Sequence, residues 1–74
     1  MLEMEGNMIS YNPLWKLLID LNKKKTDLII DCKLNKRTIA DMGKNKYVSL
    51  QTIEKICNAY NCNIGDIIEY IPKN

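Results

Sequence analysis

The side chains able to do chemistry are concentrated in the middle of the chain. Between Lys23 and Lys46 stand eight basic residues (Lys23, Lys24, Lys25, Lys33, Lys36, Arg37, Lys44, Lys46) and three acidic ones (Asp27, Asp31, Asp41). This third of the chain carries +5, whereas all 74 residues together carry only +2, so the flanks are net acidic. Cationic groups gathered in this way attract polyanions, because each phosphate they neutralise releases condensed counterions. A charge run by itself is more often a solvated helix face, so the pattern gains meaning only from the elements that carry it.

Other chemistries lack their residues. There is no histidine, and the three cysteines make no four-ligand zinc set; Cys57 and Cys62 lie five apart, which is not a zinc-knuckle spacing. No glycine-rich phosphate loop or nucleophile–base pair is present, so neither catalysis, a cofactor nor a small-molecule ligand is expected. The cysteines read most simply as core residues. A redox switch among them would fall first to Cys62, at a helix boundary. The cysteine count is odd and the first residues do not resemble a secretory signal, so a cytoplasmic protein is expected. No apolar run is long enough to span a bilayer. One domain of this length buries about 60% of the surface its unfolded chain exposes, so self-association is an expected aid to stability.

The elements follow from periodicity. Residues 1–7 read as a disordered leader, and residues 8–72 as the domain. Met8 to Tyr11 alternates weakly, as a short strand would. Asn12-Pro13 signals a helix start, and Leu14, Leu17, Leu18 and Leu21 form an apolar stripe on a first helix from Pro13 to Asn22, widened by Trp15 and Ile19. A short second helix is expected over Lys25–Cys32. Asn35 is the cap of a third over Lys36–Gly43, where Ile39 and Met42 point inward and Gly43 provides the left-handed end. Ser49 caps a fourth over Leu50–Tyr60, with Val48 and Ile53 as a hydrophobic staple and Asn61 as its left-handed end. Asn63 begins a fifth over Ile64–Ile68, and Glu69-Tyr70-Ile71 reads as a terminal strand. The fold class is therefore all-α, with five short helices and short terminal strands.

A helix-turn-helix requires two short helices joined by a tight turn, with apolar residues at fixed offsets. Leu28, Cys32, Leu34, Ile39 and Met42 supply them. The stretch Lys25–Lys44 resembles the helix-turn-helix of phage repressors and Cro proteins, the xenobiotic-response-element family with its lambda-repressor-like fold. The continuation from Val48 to Cys57, then Asn61-Cys62-Asn63-Ile64-Gly65-Asp66-Ile67-Ile68-Glu69-Tyr70, is similar to a short bacterial subgroup of transcriptional regulators. The resemblance covers Ile9 to Pro72. It implies binding to operator double-stranded DNA, as a homodimer, in a regulator acting as a repressor. Departures from the family are Ile29 where a small residue is usual, Lys33 where Gly is usual, and Lys24 where Ser or Thr caps the second helix.

Carried onto this sequence, the resemblance places Lys36, Arg37 and Asp41 at positions that face base edges. Arg37 is the foremost, because an Arg can bond bidentately to guanine, with a phosphate contact or solvated surface as its alternative, and Lys36 suits a phosphate as well as a base. Asp41 could accept from cytosine or pair with Arg37 or Lys44. Asn35 caps the third helix and could touch DNA as well. Lys25, Lys44 and Lys46 match phosphate-contacting positions, and Thr38 could join them. Four or five such contacts imply a log–log salt slope of about −4. Specific affinity calls for two half-sites roughly 34 Å apart, hence two copies. Ile30, Ile9, Tyr11, Tyr70 and Ile71 are candidate partner surfaces. The alternative class is an antitoxin-like or regulatory protein-interaction module that turns the same surface to a protein.

Overall fold

The computed structural model describes residues 8–72. The leader read over residues 1–7 lies outside them. In chain order the elements are β1 (Ile9–Ser10), α1 (Asn12–Asp20), α2 (Asp27–Asp31), α3 (Lys36–Gly43), α4 (Leu50–Tyr60), a 3₁₀ turn (Ile64–Asp66) and β2 (Glu69–Tyr70). The described residues thus hold four α-helices rather than five, with the fifth reduced to one 3₁₀ turn.

The terminal strands pair with each other. β1 and β2 are antiparallel, with Ile9 opposite Tyr70 and Ser10 opposite Glu69. The Ile71 N–H also donates to the Met8 carbonyl at 2.7 Å. This pairing explains the loss of the fifth helix: the chain must leave helical geometry by Ile67 to arrive beside β1. The Asp66 carboxylate holds the short turn by accepting from the Asn63 N–H at 2.9 Å.

Asn12 does not cap α1. The chain enters the helix directly from β1, and the buried Ser10 accepts the Asn12 N–H through Oγ at 3.1 Å. Asn12 is already helical, and Pro13 sits in the first turn, where no N–H is needed. The helix stops at Asp20 because Asn22 turns left-handed, at φ 60°, and the Lys23 N–H reaches back to the Leu18 carbonyl at 2.7 Å. The predicted stripe is narrower than expected. Leu14 and Leu18 are buried, but Leu21 is exposed and Ile19 is 74% exposed.

The second helix is shorter than the predicted Lys25–Cys32. Residues 24–26 form tight turns in which the Asp27 and Leu28 amides donate to the carbonyls of Lys24 and Lys25. Asp27 Oδ2 accepts the Lys24 N–H at 2.8 Å, the carboxylate half of a capping box whose hydroxyl half Lys24 cannot supply. α3 begins as predicted: Asn35 Oδ1 accepts the Thr38 N–H at 2.8 Å. Its left-handed end is not Gly43. Asn45 takes that conformation, at φ 58°. α4 has its predicted caps, with Ser49 Oγ accepting from the Thr52 N–H at 3.2 Å and Asn61 left-handed at φ 52°.

One core joins these elements. It contains Tyr11, Leu14 and Leu18 from the entry and face of α1, Leu28 and Cys32 from α2, Leu34 from the turn, Met42 from α3, Ile53 and Ile56 from α4, and Ile67. Ile39 and Val48 pack against it. No helix of the described residues is long and apolar enough to cross a membrane, and no group of three His, Cys, Asp or Glu among them could hold a metal ion.

Candidate nucleic-acid interface

The unit that positions the basic segment is α2, its turn and α3. Leu34 is buried between the helices, and its N–H reaches the Leu28 carbonyl at 3.4 Å. Lys33 bends the chain there with φ 56°, keeping the left-handed turn without the glycine usual at that position.

α3 has two distinct sides. Successive residues are about 100° apart around a helix. Lys36, Arg37, Ala40 and Gly43 are all exposed, and they fall within an arc of about 120°. Met42, fully buried, lies across from that arc, with Thr38 and Ile39 half-buried beside it. The core therefore grips one side of α3 and presents the other.

The predicted residues take the following places. Arg37 and Asp41 form an i, i+4 ion pair through Arg37 Nε at 3.8 Å, a contact loose enough to leave the Arg37 side chain 86% exposed. Asp41, half-buried, meets Arg37 rather than Lys44. Asn35 spends its oxygen on the cap, so its amide group is the part still able to donate outward. Lys25 is exposed in the turn entering α2. Lys44 and Lys46 are exposed in the turn leaving α3, and both donate their backbone N–H to the Asp41 carbonyl, at 3.1 and 2.9 Å. Thr38 is half-buried, with its backbone N–H on Asn35.

The family model of the Cro/C1-type helix-turn-helix DNA-binding domain matches residues 13–73. The chain belongs to this Cro/C1-type family. It is also similar, at 46% identity and a TM-score of 0.85, to the crystal structure of the transcriptional regulator VanUg, form II; the match covers 99% of this chain and 97% of that one. No match was found among curated proteins.

Within this Cro/C1-type domain, three supports of the surface were not read from the sequence. The first is Tyr11. It is 1% exposed, so it is not a partner surface, and its O–H donates to the Lys46 carbonyl at 2.7 Å while its N–H donates to Asn45 Oδ1 at 3.3 Å. The start of α1 thereby fixes the loop that carries Lys44 and Lys46. Burial pushes the Tyr11 phenol above its ordinary value, so it stays a donor. The second is Trp15, whose ring lies under the Lys25 ammonium, 4.4 Å from Nζ to centroid. The third joins α2, α4 and the connection that follows α1. The Tyr60 O–H donates to Asp31 Oδ2 at 3.0 Å, and Lys23 Nζ lies 3.2 Å from the same oxygen. The Tyr60 hydrogen bond, then Lys23, hold the Asp31 carboxyl below its ordinary range. Burial and Asp31 together push the Tyr60 phenol well up. The available signals were an aromatic ring with a polar tip at each site and a carboxylate inside a basic run.

The cysteines are all thiols. Cys32 is buried, and burial raises its pKa. Cys62 is pushed up to about 11, by burial first and by the neighbouring Cys57 thiol second, so at neutral pH it is protonated and a poor nucleophile. Of the other candidate partner surfaces, Ile30, Tyr70 and Ile71 are exposed and Ile9 is half-buried. Leu50, 77% exposed, and Ile64 were not among those candidates; they border an apolar groove that Cys57 and Cys62 also line.

Proposed function

We propose that this chain is a sequence-specific transcriptional regulator that binds operator double-stranded DNA through α3 and acts as a repressor. The observation that carries the reading is the two-sidedness of α3: Met42 anchors one side in the core while Lys36 and Arg37 stand exposed on the other. An exposed Arg can donate both terminal nitrogens to guanine O6 and N7. Lys36 follows beside it, Asn35 adds a side-chain amide, and Asp41 orients Arg37 through their ion pair. Lys25, Lys44 and Lys46, with Thr38, grip phosphates on either side, which fixes register without reading sequence. In this reading repression is steric: a domain bound across a promoter occupies the site.

The protein works as a homodimer in this reading. One domain of this size covers roughly 600–1,000 Å² of DNA, too little for tight specific binding, and two copies on half-sites about 34 Å apart supply the rest. Similarity to a transcriptional regulator over almost the whole of both chains supports the assignment. Selection of bound duplexes from a random pool, followed by gel shift across a salt series, tests it. The expected result is a two-fold symmetric motif bound with a steep loss of affinity as salt rises. Binding that ignores both sequence and salt would instead favour the protein-interaction module.

A further inference from the structure

Lys23, Lys24 and Lys25 are consecutive and chemically alike, yet the fold treats two of them in opposite ways. The Lys23 ammonium meets a carboxylate, Asp31, at 3.2 Å, so its charge is largely compensated within the protein. Lys25 meets the face of Trp15, with Nζ 4.4 Å from the ring centroid. An indole attracts a cation through its quadrupole but carries no net charge. It therefore fixes the ammonium in place and leaves the full positive charge, with its three N–H donors, available to a further anion.

The ring is well placed to act as a fixed platform. Trp15 lies on α1 next to the buried Leu14 and one turn before the buried Leu18, and it packs against the core. A lysine side chain gives up rotamer freedom when it docks, and a cation already resting on a ring gives up less.

We propose that Trp15 is a positioning residue for the DNA surface: its ring holds the Lys25 ammonium at the entrance to α2, oriented toward a phosphate, without neutralising it. The proposal rests on the reading of Lys25 as a phosphate contact. It extends the interface to α1, an element that reads from its sequence as pure core.

A double-mutant cycle on the whole chain tests it, with the duplex obtained by selection as the probe. Trp15→Leu is expected to weaken binding about two- to five-fold, the range of an exposed or half-exposed cation–π contact, and Trp15→Phe by less. In a Lys25→Gln background neither change should weaken binding further. Trp15→Leu should leave the log–log salt slope unchanged, because the charge remains, whereas Lys25→Gln should make it shallower by about 0.9 for each bound protomer. Equal losses in both backgrounds would show that Trp15 acts through the fold and would overturn the proposal. If Lys25→Gln binds as tightly as wild type, the proposal falls while DNA binding stands. A wild-type protein that binds no duplex removes both. Thermal melts accompany each variant, and if Trp15→Leu is unfolded the Trp15→Phe cycle carries the test.

Discussion

Lys33 offers a direct measurement of what the turn between α2 and α3 costs. Among the described residues four non-glycine positions have positive φ: Asn22, Lys33, Asn45 and Asn61. Asparagine tolerates this region because its short amide bonds to nearby backbone, but lysine has no such compensation. The left-handed conformation costs an ordinary residue about 1–2 kcal/mol. Replacing Lys33 with glycine removes that cost but adds the greater entropy of an unfolded glycine, about 0.5–1 kcal/mol. The Lys33 side chain is exposed, so little packing is lost. The net expectation is a gain of about 0.5–1 kcal/mol, or about 3–6 °C in Tm for a domain of this size. Urea and thermal unfolding followed by circular dichroism would measure it, with Lys33→Ala as the control. Alanine removes the charge but keeps the Cβ, so it should bring no such gain. A Lys33→Gly protein that melts at or below wild type, or an alanine variant that gains as much as glycine, would refute the strain argument.

Three further outcomes are expected. Arg37→Ala should relax preference at one base position, costing about 1–3 kcal/mol on the preferred duplex, while Lys44→Ala should weaken all duplexes alike and flatten the salt slope by about 1; a selected motif unchanged by Arg37→Ala would remove that residue from base reading. Tyr11→Phe leaves the Lys46 carbonyl without its 2.7 Å donor, so urea unfolding should show a loss of about 1–2 kcal/mol, and binding should weaken without change of motif. An unaltered melt would count against the clamp. Asp31 has its folded-state pKa lowered by Tyr60 and Lys23, so the unfolded chain binds the proton more readily and the stabilisation present at neutral pH is lost as the pH falls below about 4. The stability gap between wild type and Asp31→Asn should therefore narrow between pH 7 and pH 3, and a constant gap would show that the carboxylate contributes nothing through its charge.

Features that depend on a few adjacent residues were readable from the sequence. The caps at Asn35 and Ser49 and the left-handed Asn61 stand where predicted, because each is settled by one side chain and the amides three or four positions away. The apolar offsets of α3 and α4 were readable for the same reason. What failed depended on distant partners. The fifth helix gave way to strand pairing across 60 residues of sequence. Ile19 fits a helical stripe by spacing, yet no element of the described residues covers it, and it is 74% exposed. Gly43 suits the left-handed end by residue type, but the loop continues to Asn45, whose side chain accepts from the Tyr11 N–H. On the surface, the exposed arc of α3 could be inferred from spacing. Its supports could not, because Tyr11–Lys46, Trp15–Lys25 and Tyr60–Asp31 join residues 35, 10 and 29 positions apart.

These long-range ties bear on how the basic segment should be counted. α2 has five residues, too few to persist as an isolated helix. It is held by the burial of Leu28 on one side and, on the other, by the Asp31 carboxylate between Tyr60 of α4 and Lys23 beyond α1. One cation of the eight in the run is thus spent on the scaffold, and Arg37 is shared with Asp41. The acidic residues inside the basic run do more than dilute it: Asp27 starts α2, Asp31 fixes its orientation, and Asp41 restrains Arg37. Per protomer, eight cations on phosphates would give a salt slope of about −7, whereas Lys25, Lys44 and Lys46 alone give about −3, and a dimer doubles both. All eight cations are exposed, so the measured slope separates the sequence count of charge from the smaller number proposed to grip phosphate.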